Sequence, residues 1–276
     1  MQFMKFQRHF DTLRIILILG STFLSMSCLS AQEMSGQEIM DEISRHHDSP
    51  AELESLTMTL IDKKGKTTSR TLRQYSLKNT DGLYKYLLVF DEPNGIKGVA
   101  LLTWEKQGGD DDQWLYLPAM GNKLKRIASG GRMNYFMGTD FAFEDLVVEK
   151  PGNFEYERQA DQKFDGVDVF VVDARPSDPK LVTGYKKRQL FVRKDDYIVV
   201  RVDYFQKRTG KLLKRLSLSE LEHIEGDQWR AKERLMEHFS KKHATRITTL
   251  KRSFTIEDVP ETVFTHRFIT SRNHMR

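Results

Sequence analysis

From residue 53 onward, apolar and polar residues alternate with a period of two. Leu56, Met58 and Leu60 fall on one side of an extended chain and Thr57 and Thr59 on the other, as in a strand with one buried face. Lys64-Gly65-Lys66 turns the chain and 72–77 returns, which predicts a hairpin. Further strands are predicted over 83–90, 99–105, 113–117, 154–163, 167–174, 186–193, 198–206, 211–222, 228–238 and 244–256. Their connections are short, as at Phe164-Asp165-Gly166 and Arg208-Thr209-Gly210, which leaves no room for crossover helices and predicts an antiparallel meander. A sheet of about eleven strands must curl to hide its apolar face, so a mainly β (α+β) fold built on a strongly curved sheet or barrel is expected.

Helical periodicity is confined to a few places. Ser35 followed by Glu38 forms a capping box, with Ile39, Met40 and Ile43 as the buried stripe of an opening helix that Ser49-Pro50 ends. A short terminal helix is expected near 260–268. These two, with helices around 120–147, are the natural cover for the sheet's apolar face.

Before residue 32 the pattern is of another kind. Lys5, Arg8 and Arg14 precede an apolar core over 15–24 and a small-residue exit at Ser30-Ala31, which predicts an export signal over 1–31 and one mature domain over 32–276. The apolar run is shorter than the ~20 residues of a spanning helix. The single cysteine, Cys28, lies inside this segment, so the mature chain has no thiol. Ser25 stands three places before it, where a lipidation signal has leucine, and acylation of Cys28 stays open as an alternative. Loss of residues 1–31 lowers the net charge from +5 to +3. Basic clusters remain at 207–215 and 241–252. They fit solvated strand faces, with anionic headgroups or an acidic partner as the alternative, and an exported chain argues against nucleic acid.

The familiar catalytic patterns are missing: no His-Glu-x-x-His, no Gly-x-Ser-x-Gly, no phosphate-cradling glycine loop. Asp110-Asp111-Asp112 reads as a solvated turn, lacking the spaced ligands of a calcium loop. His46-His47 point about 100° apart on a helix and cannot easily chelate one ion; they suit the helix C-terminus instead. Asp140, Glu144 and Asp145 offer carboxylates for acid-base work, but Thr139-Asp140 after Gly138 also makes a good helix start. No catalytic residue, metal site or cofactor is therefore expected.

What stands out is Trp114-Leu115-Tyr116-Leu117-Pro118, then Lys125-Arg126-Ile127, then FMGTDFAFEDL over 136–146. With Phe90-x-x-Pro93, Lys97-Gly98, Tyr185, Leu190, Tyr197, Tyr204, Gly210-Lys211 through Lys214, Pro260 and Phe264, this order resembles the LolA-like family of outer-membrane lipoprotein-sorting proteins, related to the carriers LolA and LolB, over nearly the whole mature chain. The resemblance implies a half-open antiparallel β-barrel with a helical lid, an apolar interior that holds acyl chains, and neither cofactor nor catalysis. It implies a periplasmic monomer whose cargo is an acyl lipid or lipoprotein. Its partner would be an inner-membrane exporter of the RND/MMPL type or an ABC-type complex.

Phe90, Leu101, Trp114, Tyr116, Phe136, Met137, Phe141 and Phe143 are the expected lipid-binding residues, each of them equally readable as ordinary core. Met120, Met133 and Met137 are adaptable apolar groups, and glycines 121, 130, 131 and 138 would let a lid shift or simply turn the chain. The chain is longer than the LolA carrier, and by location alone Arg126 and Arg132 are candidates for the arginine that controls the lid. The alternative function is a non-transporting envelope adaptor anchored through Cys28, its interior filled by its own side chains.

Overall fold

Alternation in the sequence becomes one continuous sheet in the computed structural model, which describes residues 33–147, 152–226 and 228–276. The expected signal segment over 1–31, with Cys28, lies outside the described residues. The first six strands are β1 (Ala51–Ile61), β2 (Thr67–Lys78), β3 (Tyr84–Glu92), β4 (Ala100–Trp104), β5 (Asp112–Tyr116) and β6 (Leu124–Arg126). The other seven are β7 (Phe154–Phe164), β8 (Val167–Pro176), β9 (Tyr185–Arg193), β10 (Val199–Gln206), β11 (Leu212–Glu225), β12 (Gln228–His238) and β13 (His243–Ser253).

All neighbours pair antiparallel in the order β6-β5-β4-β3-β2-β1-β13-β12-β11-β10-β9-β8-β7. The chain thus starts at the middle, meanders outward along one arm to β6, passes to the far edge at β7, and meanders back until β13 pairs with β1 from Leu53↔Ser253 to Ile61↔Ala244. β6 and β7 are the two edges, so the sheet is not closed.

Thirteen strands stand where about eleven were expected, twelve of them over the predicted ranges. The unforeseen one is β6, three residues long within the basic run 123–127, where alternation is too short to read. The helical cover is also corrected. Over 118–146 the only helical structure is 3-10 turns, at Pro118–Met120, Ser129–Met133, Phe136–Gly138 and Phe143–Leu146. The left-handed φ of Met137 (47°) and Gly138 (75°) breaks any helix there, and Phe136 N donates to Phe141 O (2.8 Å) across a tight loop.

The opening helix α1 (Gly36–His47) has the predicted capping box: Glu38 N donates to Ser35 Oγ (3.2 Å) and Ser35 N to Glu38 Oε2 (2.6 Å). Its first residue presses on the edge strand, where a Cβ at Gly36 would lie 2.6 Å from Tyr156 O. A larger residue would therefore push the helix off β7.

Residues from both arms meet in one apolar cluster: Leu56, Leu72, Phe90 and Leu101 from the first, Phe170, Leu190, Val202 and Met236 from the second. A sheet brings such distant strands together only by curling, so this is its inner face. The outer face of the first arm carries a separate cluster, Leu87, Val89, Ala100, Leu102 and Tyr116, covered by Val259, Val263, Phe264 and Ile269. The terminal helix α2 (His266–Thr270) is shorter than expected and belongs to this outer cover.

Candidate functional site

The eight expected lipid-binding residues divide between the two faces. Phe90, Leu101, Phe136, Met137, Phe141 and Phe143 meet on the inner face. Trp114 and Tyr116 share the opposite parity of β5 and point outward to the C-terminal cover, where Trp114 lies edge-on to Trp104 (4.8 Å) and His266 (4.5 Å). They are therefore not part of an inner cavity with the other six.

On the inner face the 127–146 segment acts as a filling. Phe136 is fully buried and stacks on Phe90 (5.7 Å), while Phe143 packs edge-on to Phe136 (5.6 Å). Among the described residues a mixed polar and apolar cleft of about 50 Å³ lies beside it, lined in part by Asp110, Arg132, Glu144, Phe154 and Arg188. That is well below the ~300 Å³ of a small-molecule pocket, so the expected hollow is occupied by the chain's own phenylalanines.

Polar ties hold the segment down on both arms. From the second arm, Lys214 on β11 is fully buried. Its Nζ forms an ion pair with Asp145 and donates to Asp140 O (3.0 Å), with the rings of Tyr135, Tyr185 and Tyr204 at 5.1–5.3 Å. Asp145 also accepts from Tyr185 Oη (2.8 Å) and Ala142 N (2.5 Å).

Asp140 accepts from Thr245 Oγ1 (2.9 Å) and lies 2.5 Å from His243 Nδ1 on β13; burial pushes its pKa up, against the pull of Thr245, His243 and Lys214. Glu144 accepts from Thr183 Oγ1 (2.6 Å) and Gly184 N (3.0 Å). Tyr135 Oη bonds His238 Nε2 (2.8 Å), and burial, then the charges of Lys241, His243 and Lys214, lower the His238 pKa to about 4.

All three carboxylates of FMGTDFAFEDL are thus spent on fastening. Asp140 does not start a helix, as its sequence setting suggests; it reaches across to β13. Such a buried knot can be worth little in net stability, yet breaking one partner is expensive.

From the first arm, Arg132 is buried and pairs with Asp110 (2.8 Å), while the exposed Arg126 pairs with Asp112. The expected solvated turn over 110–112 is where both arginines anchor. A third arginine was not legible from location: Arg70 on β2 donates through Nη1 to Met137 O (2.8 Å) and lies over the Phe90 ring (5.7 Å). Its signal in the sequence is a charge on the apolar parity of a strand, two residues before Leu72. Lys214, two residues before Leu216, carries the same signal.

The chain is similar to several solved structures. A crystal structure of an outer membrane lipoprotein-sorting protein domain from Vibrio parahaemolyticus is 30% identical, with a TM-score of 0.79 over 85% of this chain and 98% of that one. A DUF1329 family protein from Desulfovibrio piger is 26% identical, with a TM-score of 0.78 over 85% and 97%. A LolA superfamily protein from Nitrosomonas europaea shares the fold at a TM-score of 0.66 over 84% and 98%, with 16% identity. A family described as "uncharacterized protein" matches residues 82–271. No curated protein matches.

Proposed function

This chain belongs to the LolA-like family of outer-membrane lipoprotein-sorting proteins, and we propose that it is a periplasmic carrier which shelters the acyl chains of a lipid or lipoprotein on its inner face. It would take this cargo from an inner-membrane exporter, of the RND/MMPL or the ABC type, toward the outer membrane, as a monomer and without cofactor or catalysis. Residues 32–276 would be the working domain, released by loss of the signal over 1–31.

The observation that carries this reading is an unclosed sheet whose apolar face is filled by three phenylalanines on one tethered, non-helical segment. A filling of that kind can be exchanged. Taking a ~16-carbon chain from water contributes about 12 kcal/mol at ~0.8 per methylene, while returning Phe136, Phe141 and Phe143 to water costs about 5–9 kcal/mol at ~1.5–3 each. The difference, about 3–7 kcal/mol before the polar ties are released, favours loading and leaves it reversible. In this reading Phe90, Leu101 and Met137 line the opened site, Phe136, Phe141 and Phe143 swing out or line its rim, and Arg70, Arg126 and Arg132 gate it. Trp114 and Tyr116 stiffen the wall from outside.

The test is extraction of the mature protein from periplasm followed by lipid mass spectrometry, with binding of a fluorescent fatty acid in solution. Bound acyl lipid and saturable binding are expected; an empty protein without affinity would overturn the reading. The filled inner face also favours a second one, a non-transporting envelope adaptor anchored through Cys28. Palmitate incorporation that is lost in Cys28→Ser, in a protein that binds no fatty acid, would establish it.

A further inference from the structure

An antiparallel meander sends its turns alternately to two rims, and here the rims differ in charge. The strand order places three hairpin tips side by side on one rim, those of β1–β2, β12–β13 and β10–β11. Lys63, Lys64 and Lys66 occupy the first; Lys241 and Lys242 follow Phe239 in the second; Lys207, Arg208 and Lys211 occupy the third. All eight basic residues are exposed. The acid among these tips, Asp62, is folded onto its own turn, accepting from Lys64 N (2.8 Å) and Lys66 N (2.9 Å).

The opposite rim carries Asp81, Glu105, Asp110, Asp111, Asp165, Asp195 and Asp196 in its turns, against Lys106 and Lys194, with Arg132 paired to Asp110 and Arg193 to Asp195 and Asp196. The molecule is electrically polar along its strands.

Exposed apolar groups fall on the basic rim as well. Phe239 is 40% exposed, and Met120 (69%) and Val182 (41%) stand in the β5–β6 and β8–β9 connections, which open onto the same rim. Basic side chains interspersed with exposed apolar ones suit a surface that is anionic outside and greasy just beneath; an acidic protein would satisfy the lysines and leave the Phe239 ring without a partner. The cover reaches this rim too, where Lys241 Nζ sits 3.7 Å from the Tyr135 ring and Arg70 holds Met137 O.

We propose that this rim is a docking surface for a lipid bilayer containing anionic headgroups, with Phe239, Met120 and Val182 dipping below the headgroup level. Docking would present the Tyr135 to Met137 end of the cover to the membrane. The inference goes beyond the carrier reading and stands without it, since a protein that held no acyl chain could dock in the same way.

Co-sedimentation of the full mature protein with vesicles of phosphatidylcholine, with and without phosphatidylglycerol, tests it. Binding only to the anionic vesicles, abolished by high salt, is expected. Charge reversal of Lys63, Lys64, Lys66 and Lys211 to Glu should weaken it at least tenfold, since each basic residue near such a surface contributes about a factor of five. Phe239→Ser should weaken it by a smaller factor. Asp81→Lys with Asp165→Lys on the far rim should not weaken it. A circular-dichroism melt of each variant establishes that it folds, and solution binding of a fluorescent fatty acid should survive in all of them, which separates failure here from failure of the carrier reading. Equal binding to both vesicle types, or a tip variant that binds like wild type, would overturn the proposal. Retention by immobilised polyglutamate without vesicle binding would overturn it in favour of an acidic protein partner.

Discussion

Two segments cover apolar patches of this sheet, and they are held in different ways. The outer cover, residues 259–276, lies on β1–β5 through Val259, Val263, Phe264 and Ile269. Its polar contacts go mainly to backbone carbonyls: Trp104 Nε1 to Phe264 O (2.9 Å), Arg73 Nη2 to His274 O (2.9 Å), and His274 Nε2 with Gly98 O (3.0 Å). The inner cover, residues 127–146, is fastened through a fully buried Lys214–Asp145 pair and the Asp140–His243–Thr245 contact. Apolar packing degrades gradually when disturbed, whereas a buried charge pair is either complete or costly. In the carrier reading the inner cover is therefore the fastening that opens, and the outer one the wall that stays.

Breaking the fastening gives the largest effect. Asp145→Ala leaves the Lys214 ammonium buried and unpaired, at a cost of about 3–5 kcal/mol. Denaturant unfolding should register that loss, and Lys214→Met added to Asp145→Leu should recover most of it. Should the single variant lose nothing, the contrast between the covers fails. On the outer side, Trp104→Ala removes a half-buried ring and should cost about 2–3 kcal/mol. Fatty-acid affinity should nevertheless stay unchanged if the proposed inner face is the site.

Arg70→Met removes one charge-assisted bond to the inner cover, at about 1.5 kcal/mol of stability. Stopped-flow fluorescence should show faster fatty-acid uptake, where an outer-cover variant of equal stability shows none.

The smallest effect is a pH dependence. The folded protein holds the His238 pKa at about 4, below its ordinary 6.5, so the unfolded chain binds more protons between these values. The contribution of His238 is complete above about pH 6.5 and is lost as pH falls toward 4. His238→Gln should therefore flatten the fall in melting temperature over that window.

Much of this was legible in the sequence. The capping box at Ser35 and Glu38, the period-two runs and the short turns specify α1, twelve of the strands and the antiparallel hairpins within each arm, but not the pairing of β1 with β13. What was not legible had physical reasons. Three residues of β6 are too few for alternation to register, and the conformation of 127–146 depends on contacts to strands far away in the chain. Alternation on β5 places Trp114 and Tyr116 together, but a single strand does not say which face is inner. Arg70 and Lys214 were detectable in principle, as charges on the apolar parity of β2 and β11, a signal that becomes meaningful only once a partner is known to face them.

The central claim is that an acyl chain takes the place of the inner cover's phenylalanines. Hydrogen–deuterium exchange of the mature protein, with and without palmitate, tests it most directly. The account predicts that palmitate speeds exchange of backbone amides over 134–145, including Phe136 N and Phe143 N, and leaves 259–276 unchanged. Unaltered or slower exchange over 134–145 in a protein shown to hold palmitate would contradict it.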